Sequence, residues 1–226
     1  MITIEEQQSL LLNISNKLKK RITIYAIGGT AMMFLGLKDA TLDIDLVFDT
    51  EKERETFINT AKDLGYIKAD PIKIYGKKKN QPEMLTLGEH RFDLFLSEVI
   101  HFYFSEDMKK RAVRIYEIGK NLILKIADPQ DILLMKCATD RMKDKDDAKS
   151  IIEETKINWE ILIDEAKNQV KLGKERALFD LGIFLDDLKK AKIKIPAKVL
   201  DEIYKLVNAQ IKRKSNRQIF ILKSLK

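Results

Sequence analysis

Two kinds of hydrophobic spacing divide the chain near residue 127. Before this point, apolar stripes with helical spacing alternate with short apolar runs of strand length. After Asp128-Pro129, which is a helix start signal, the spacing is helical throughout. Short breaks interrupt the helical part near Lys156, Gly173 and Ile195-Pro196. The pattern predicts a mixed α/β domain over residues 1–126 and a helical domain over residues 127–226, a fold of the α/β (α+β) class.

The elements of the first domain follow from the same spacing. Helices are predicted over residues 3–20, 30–35 and 50–64, and Thr3 with Glu6 forms a capping box at the start of the first helix. Strands are predicted over residues 22–27, 42–48, 72–75, 84–87, 91–96, 112–118 and 121–126, the last two as a hairpin around Gly119. We expect these strands to form a mixed sheet.

Composition narrows the class of protein. The 226 residues have the apolar and charged fractions of a globular protein. No stretch approaches the roughly 18 to 20 uncharged apolar residues of a membrane span, and the N-terminus lacks the layout of a signal peptide. The one cysteine, Cys137, lies in an apolar run, which favours a buried thiol in a reducing compartment. We therefore expect a cytoplasmic protein without membrane association.

The net charge of +7 is concentrated at one end of the chain. From residue 205 onward there are seven basic residues and no acidic residue, so the preceding part of the chain has no net charge. The basic residues are Lys205, Lys212, Arg213, Lys214, Arg217, Lys223 and Lys226. Such an end is typical of a surface that holds RNA or another polyanion, and equally of a solvated helix face.

The residues that indicate chemistry lie at the first two predicted strands. Gly28-Gly29-Thr30 ends one strand and opens a helix, where glycine lets backbone N–H groups approach a phosphate and Thr30 adds a hydroxyl. Asp43 and Asp45 follow about a dozen residues later and, two apart in a strand, project to the same face. Because two such close carboxylates repel each other, a divalent cation is the usual physical solution.

This conjunction resembles the polymerase-β superfamily of nucleotidyltransferases, whose signature is Gly-Gly or Gly-Ser, a spacer and then Asp-x-Asp on the next strand. The segment from Gly36 to Asp45 is more narrowly similar to abortive-infection toxins of the AbiE type. That group usually has Arg where Lys38 stands, and often Ser where Thr30 stands. Lys keeps the charge but cannot reproduce a bidentate Arg contact.

The resemblance implies further site residues. Asp93, in the apolar strand His90 to Leu96, is implied as the general base or third metal ligand beside Asp43 and Asp45. A second matching block, residues 128–147, supplies a lysine that contacts nucleotide phosphate in the family, and an aspartate needed for activity. The nucleotide-binding positions implied in addition to Gly28, Gly29 and Thr30 are Lys38, Thr41, Lys136, Lys143 and Asp147.

In the second block the helical spacing sets Lys136, Asp140, Lys143 and Asp147 on one face. The competing interpretation of this row is a set of ordinary salt bridges between neighbouring turns. Both interpretations fit the spacing. Residues beyond 150 match no pattern that we can assign.

The resemblance implies a nucleotidyltransferase that uses Mg²⁺ (or Mn²⁺) and an NTP such as ATP, with the active site in the cleft between the two domains. The acceptor would be a hydroxyl or phosphate group, on RNA at the basic end or on a protein. The AbiE-type resemblance adds a toxin role and a cognate antitoxin as partner. Two alternatives come from other classes: a catalytically silent nucleotidyltransferase fold that serves as a binding module, and an RNA-binding protein.

Overall fold

A mixed sheet forms the centre of the first part of the chain. The computed structural model describes residues 1–139 and 141–224, with side chains described as far as Arg213 in the last helix. The strands are β1 (Ile2–Thr3), β2 (Ile22–Ala26), β3 (Ala40–Thr41), β4 (Ile44–Phe48), β5 (Ile67–Ala69), β6 (Glu83–Leu87), β7 (His90–Leu96), β8 (Glu98–Val99), β9 (Phe102–Tyr103), β10 (Arg114–Ile118) and β11 (Leu122–Ile126).

The strand order of the large sheet is β10-β11-β2-β4-β7-β6-β5, while β1 and β3 form a separate pair. β2 runs parallel to β11 and antiparallel to β4, and β4 runs parallel to β7. Mixing of parallel and antiparallel pairs confirms the predicted mixed sheet. The central strands are apolar because both faces of a central strand must be covered.

Helices surround this sheet and then make up the remainder of the chain. They are α1 (Ile4–Lys17), α2 (Gly28–Phe34), α3 (Glu51–Asp63), α4 (Ile72–Tyr75), α5 (Glu106–Arg111), α6 (Pro129–Lys136), α7 (Met142–Glu154), α8 (Trp159–Lys171), α9 (Arg176–Lys190) and α10 (Ala197–Ser224). The predicted capping box at Thr3 and Glu6 is present. α6 begins as predicted, with Asp128 capping the helix and Pro129 in its first turn. None of the described helices is both long and apolar enough to span a bilayer.

Aromatic side chains join α3 to the sheet. Phe57 on α3 lies with its ring 5.4 Å from that of Phe48 on β4 and 5.3 Å from that of Phe92 on β7, both edge to face. All three rings are fully buried. Burial of this kind of side chain stabilises a fold by roughly 1.5–3 kcal/mol each, so the cluster holds β4 and β7 together at the place where the candidate site lies.

Contacts divide the chain into two compact units, Met1–Ile157 and Asn158–Lys226. The second unit contains α8, α9 and α10, and buried apolar side chains such as Leu162, Leu185 and Leu200 lie on these three helices. Gly182 on α9 leaves room for Ile203 on α10, whose methyl carbon would lie 3.4 Å from an added Cβ. The change to helical structure occurs near residue 127 as expected, whereas α6 and α7 are part of the first unit. The boundary between domains 1–126 and 127–226 stays a prediction.

Three local predictions were wrong. Residues 72–75 form a helical turn instead of a strand, because Asp70 accepts a hydrogen bond from Ile72 N at 2.9 Å and Pro71 precedes the turn. Asp43 lies before β4 instead of within it. The helix predicted to continue past Lys136 ends there, and α7 starts at Met142.

Candidate active site

Three carboxylates converge where β4 and β7 lie side by side. The parallel register of these strands sets Asp45 directly opposite Asp93. Asp43 reaches the same place from the turn before β4, so that Asp43, Asp45 and Asp93 offer oxygen atoms within 4.8 Å of one another. We call this set the carboxylate triad. The sequence predicted these three residues from separate segments, and the structure brings them together.

The two glycines of the predicted phosphate-binding turn make room for this cluster. Gly28 has a φ of +55°, and a Cβ added to it would lie 2.6 Å from Asp45 Oδ2. A Cβ added to Gly29 would lie 2.6 Å from Thr41 Oγ1. Real Cβ atoms do not approach an oxygen so closely, so each glycine occupies a place where a larger residue would displace a neighbouring side chain.

Thr30 and Thr41 support the triad from two sides. Thr30 is fully buried, and its hydroxyl accepts a hydrogen bond from the backbone N–H of Asp45 at 2.8 Å. Thr41 donates to Asp43 Oδ1 at 3.4 Å. Thr41 thus contacts the carboxylate of Asp43, whereas Thr30 holds the backbone of Asp45. The Thr30 hydroxyl faces β4, and its contact with a nucleotide stays a prediction.

Arg91 and Tyr75 lie closest to the triad among the described groups that can donate to it. Arg91 donates from Nη2 to Asp43 Oδ2, and its Nε lies 3.0 Å from Asp93 Oδ1. Tyr75, on α4, donates its hydroxyl hydrogen bond to Asp93 Oδ2 at 2.7 Å. Neither residue was predicted for the site. The sequence pattern places Tyr75 in a strand, and it shows Arg91 only as part of the strand that carries Asp93.

Burial makes negative charge costly in the triad. Burial and then the charge of Asp93 raise the pKa of Asp45 from its ordinary value to about 7. Burial also raises the pKa of Asp93, although the nearby Arg91 charge and the Tyr75 hydrogen bond act to lower it. The same surroundings raise the pKa of the Tyr75 hydroxyl, mainly through burial.

The triad fits a divalent cation. Carboxylate oxygens are the ligands that Mg²⁺ and Mn²⁺ prefer, and such an ion would remove the electrostatic cost that the raised pKa values express. Asp93 Oδ1 is buried and has no hydrogen-bond partner within the described residues, which leaves it available as a ligand. The chemistry of the donor set therefore supports a metal site at the position that the sequence predicted.

A network of lysines and aspartates lies beside the triad. Lys136 at the end of α6 is buried and contacts Asp144 Oδ1 at 3.0 Å and also Asp147 Oδ2, both on α7. Lys38 contacts Asp147 Oδ1 at 2.5 Å. We call Lys38, Lys136, Asp144 and Asp147 the ion network. It joins α6 and α7 across the break in the predicted helix, so residues placed on one continuous helix face meet instead through packing of two helices.

Asp144 stabilises the segment between the end of α6 and the start of α7. Arg141 donates from Nε to Asp144 Oδ2 at 2.7 Å, and the Thr139 hydroxyl donates to the same carboxylate. Asp144 lies within the second matching block, residues 128–147, but was not among the predicted site residues. Asp140, which we placed on the shared face, lies outside the described residues.

Lys143 differs from the other predicted phosphate contacts. Lys38 and Lys136 are both engaged by Asp147, whereas Lys143 is half-buried and forms no ion pair with a described residue. Burial, followed by the charge of Arg141, lowers the pKa of Lys143, and the charge of Asp45 acts in the opposite direction. Lys143 thus lies within electrostatic reach of the triad and keeps its ammonium group available.

A small cavity of about 60 Å³ opens beside Asp45. Its polar side contains Gly28, Asp45 and the groups that surround Asp144, while its other side is apolar. The lining residues are Ile27, Gly28, Asp45, Tyr75, Phe95, Val99, Ile100, Ile132, Met135, Lys136, Thr139, Arg141 and Asp144. On its polar side, the carboxylates of Asp45 and Asp144 lie together with the cationic groups of Lys136 and Arg141.

Comparison with known families gives the class of protein to which the chain belongs. Residues 1–192 match the family described as "Nucleotidyltransferase of unknown function (DUF6036)", and the chain belongs to that family. The chain is accordingly a nucleotidyltransferase enzyme. The narrower resemblance to AbiE-type toxins stays a prediction.

The chain is similar to a solved structure but not to any curated protein sequence. No curated protein matches the chain significantly in sequence. Among solved structures, the chain is similar to a crystal structure of ANT(2″)-Ia in complex with adenylyl-2″-tobramycin, with a TM-score of 0.43 and 14% sequence identity. The similarity covers 80% of this chain and 98% of that chain.

Proposed function

We propose that this chain transfers a nucleoside monophosphate from an NTP to a hydroxyl or phosphate acceptor, with Mg²⁺ (or Mn²⁺) held by Asp43, Asp45 and Asp93. The observation that carries the proposal is the carboxylate triad, with oxygen atoms within 4.8 Å of one another, in a member of a nucleotidyltransferase family. A bound divalent cation supplies charge stabilisation to the transferring phosphoryl group. The protein contributes mainly positioning and electrostatic stabilisation in this chemistry.

The triad residues have separate roles in this proposal. Asp43 and Asp45 are metal ligands: the Thr41 hydroxyl donates to the Asp43 carboxylate, and the Thr30 hydroxyl accepts from the backbone N–H of Asp45. Asp93 is either the third ligand or the general base that takes the proton of the attacking hydroxyl. Burial raises the pKa of Asp93, and a carboxylate with a raised pKa is a stronger base at neutral pH.

The remaining predicted residues either bind the phosphates of the nucleotide or support the residues that do. Gly28 and Gly29 open α2, and their backbone N–H groups lie where a helix start favours anions. Lys143 is the side chain that we assign to direct phosphate contact. The other predicted residues support the site without contacting phosphate. The ion network, with Lys38, Lys136 and Asp147, holds α6 and α7 beside the triad, and Thr41 holds Asp43. Thr30 acts likewise through Asp45.

Incubation with each radiolabelled NTP tests the proposal. The reaction contains Mg²⁺ or Mn²⁺ and total RNA, and labelled RNA, labelled protein and released pyrophosphate are measured separately. Asp45→Asn should abolish transfer, whereas Asp39→Asn, at an exposed position six residues earlier, should leave it unchanged. Transfer that persists in Asp45→Asn would contradict the assignment of the metal site. Pyrophosphate release without a labelled polymer would indicate that a small molecule or water is the acceptor.

For the acceptor we propose RNA, bound at the basic end of the chain. The support is the concentration of seven basic residues after position 204. Lys212 and Arg213 are exposed on α10, while Lys226 and the side chains of the other basic residues after Arg213 lie outside the described part of the chain. Substituting Lys212, Arg213, Lys214 and Arg217 by Gln should flatten the log–log salt dependence of RNA binding by about 0.7 for each phosphate contact that the substitutions remove. NTP binding should not change, and an unaltered salt slope would remove RNA from the proposal.

The resemblance to the AbiE type leads us to propose further that the enzyme is a cytoplasmic toxin with a cognate antitoxin, and that ATP is among its substrates. Expression of the chain should then slow growth, and co-expression of a small neighbouring open reading frame should restore it. Asp45→Asn, which keeps the surface of the protein, should be harmless when expressed alone. Equal toxicity of this variant would favour the catalytically silent binding module instead.

A further inference from the structure

One arginine neutralises two of the three carboxylates of the triad. Arg91 precedes Asp93 by two positions on β7, so both side chains lie on the same face of the strand. Its Nη2 donates to Asp43 Oδ2, and its Nε lies 3.0 Å from Asp93 Oδ1. The Arg91 side chain is 17% exposed, whereas those of Asp43 and Asp93 are 7% and 0% exposed. The guanidinium therefore occupies the acidic centre of the site.

The triad requires such a positive charge. Carboxylates with oxygens within 4.8 Å of one another repel strongly when they are buried. Lys136 and Lys38 cannot serve fully, because both are engaged by Asp147. Arg91 is thus the cation in direct contact with the triad among the described residues.

Arg91 and Asp93 lie close together without a well-formed hydrogen bond, so another cation can replace Arg91 at Asp93. Arg91 Nε and Asp93 Oδ1 are both buried, and neither has a hydrogen bond of acceptable geometry within the described residues. Their attraction is therefore electrostatic, without the directional bond that a buried pair needs to offset its desolvation. A ligand that satisfies Asp93 Oδ1 better than Arg91 Nε does would take its place.

We propose that Arg91 is the resident counter-cation of the carboxylate triad, and that a divalent metal binds by displacing its guanidinium from Asp43 and Asp93. This inference rests on the proposed function, since it takes the triad as the metal site. It assigns to Arg91 control of metal affinity: metal alone binds weakly because it must compete with a tethered cation. Metal that arrives with the triphosphate brings additional ligands and overcomes this competition.

The counter-cation role and a simple positioning role predict opposite results. An arginine that only holds the carboxylates in place would, when removed, leave them disordered and weaken metal binding. A competing arginine would, when removed, leave the same carboxylates with a stronger need for a cation. Metal affinity in the absence of nucleotide therefore separates the two roles without reference to activity.

The experiment is a Mn²⁺ titration of the full chain without nucleotide, followed by the electron paramagnetic resonance of free Mn²⁺. The variants are Arg91→Gln and, as a matched control, Arg114→Gln, which changes an exposed arginine on the edge strand β10. Arg91→Gln should bind Mn²⁺ on the order of tenfold more tightly, the effect of losing a competing interaction of about 1.4 kcal/mol. The control should bind Mn²⁺ as the unaltered chain does. Unchanged or weaker binding by Arg91→Gln overturns the inference.

Two additional variants keep the outcome unambiguous. If Arg91→Gln fails to fold, Arg91→Met decides, because methionine is a long, flexible side chain that fills space without a charge. It should bind Mn²⁺ more tightly than the unaltered chain, and equal or weaker binding counts against Arg91. Asp45→Asn separates the two proposals. If Asp45→Asn abolishes Mn²⁺ binding while neither Arg91 variant tightens Mn²⁺ binding, only the inference about Arg91 fails. If Mn²⁺ binding does not depend on Asp45, the proposed metal site fails as well.

Discussion

Substitution of Gly28 by alanine should disable the site while the protein still folds. A Cβ at this position would lie 2.6 Å from Asp45 Oδ2 and 3.3 Å from Asp45 Cγ. Ordinary contact begins at 3.4 Å, so the carboxylate must move by about 0.8 Å. Because the Asp45 carboxyl is the mobile end of a side chain, it can move without disturbing the sheet. A shift of this size exceeds the roughly 0.5 Å within which a functional group has to be held.

The cost in stability can be matched with a control. Gly28 has a φ of +55° and Gly88, in the turn between β6 and β7, has a φ of +58°. Alanine pays roughly 1–2 kcal/mol for such a left-handed conformation at either site. A Cβ at Gly88 has no atom within 4 Å, so only the Gly28 substitution adds a collision. Both variants should therefore lose about 1–2 kcal/mol in urea denaturation.

Function should separate the two variants. Mn²⁺ binding in the presence of NTP, measured by electron paramagnetic resonance, should weaken by on the order of tenfold or more in Gly28→Ala. Gly88→Ala should bind as the unaltered chain does. Label transfer from NTP should follow the same order. Normal metal binding and transfer by folded Gly28→Ala would refute the reasoning, because Asp45 would then not need the position in which the glycine leaves it.

Three further predictions concern charge. The pKa of Asp45 is raised from 3.8 to about 7, so without metal (in EDTA) the contribution of Asp45 to the free energy of unfolding should fall as pH rises through this window. Mn²⁺ should raise the melting temperature more at pH 8 than at pH 6. Asp45→Asn should remove this difference between the two pH values. Lys143→Gln should weaken NTP binding, measured by calorimetry, by on the order of tenfold without loss of stability, because a half-buried cation is removed. Lys149→Gln, at an exposed position, should change neither NTP affinity nor stability. Unchanged NTP affinity in Lys143→Gln would remove Lys143 from the site. Asp147→Ala should cost about 3 kcal/mol in urea denaturation, since it leaves Lys38 without its partner and Lys136 with Asp144 alone. Exposed Asp146→Ala should cost no more than about 0.5 kcal/mol, and similar losses would mean that the ion network contributes little.

The sequence predicted those parts of the site that local patterns encode. Asp43 and Asp45 lie two residues apart beside a strong apolar strand, and Gly28-Gly29 follows another such strand, so the conjunction of the two segments was recognisable. The mixed sheet and the helical character after residue 127 followed from the same kind of periodicity. These features depend on neighbours within a few positions, which is the range over which sequence patterns are informative.

The remaining contacts depend on packing between distant segments. Tyr75 meets Asp93 across 18 residues of sequence, and Lys38 meets Asp147 across 109. No spacing rule predicts such pairs, because the register of β4 against β7 and the packing of α6 on α7 must be known first. Tyr75 was also hidden by its context, since alternating apolar residues favoured a strand where Asp70 and Pro71 start a helical turn.

The Gly-Gly pair has a meaning that its interpretation as a phosphate-binding turn did not include. Gly29 has ordinary helical geometry in α2, where alanine normally stabilises a helix by roughly 1 kcal/mol relative to glycine. Here a Cβ would lie 2.6 Å from Thr41 Oγ1, and Thr41 donates to Asp43. Gly29→Ala should therefore destabilise the protein in urea denaturation and also weaken Mn²⁺ binding in the presence of NTP.

A double variant tests this explanation directly. Thr41→Ala removes the oxygen that Gly29→Ala would strike, so adding Gly29→Ala to Thr41→Ala should cost less than adding it to the unaltered chain. The two substitutions should be coupled by about 1 kcal/mol or more, within the range for side chains in contact. Independent effects would mean that Gly29 is needed for its backbone N–H group alone. Coupling would instead show that the glycines exist in part to admit the side chains that carry and support the metal ligands.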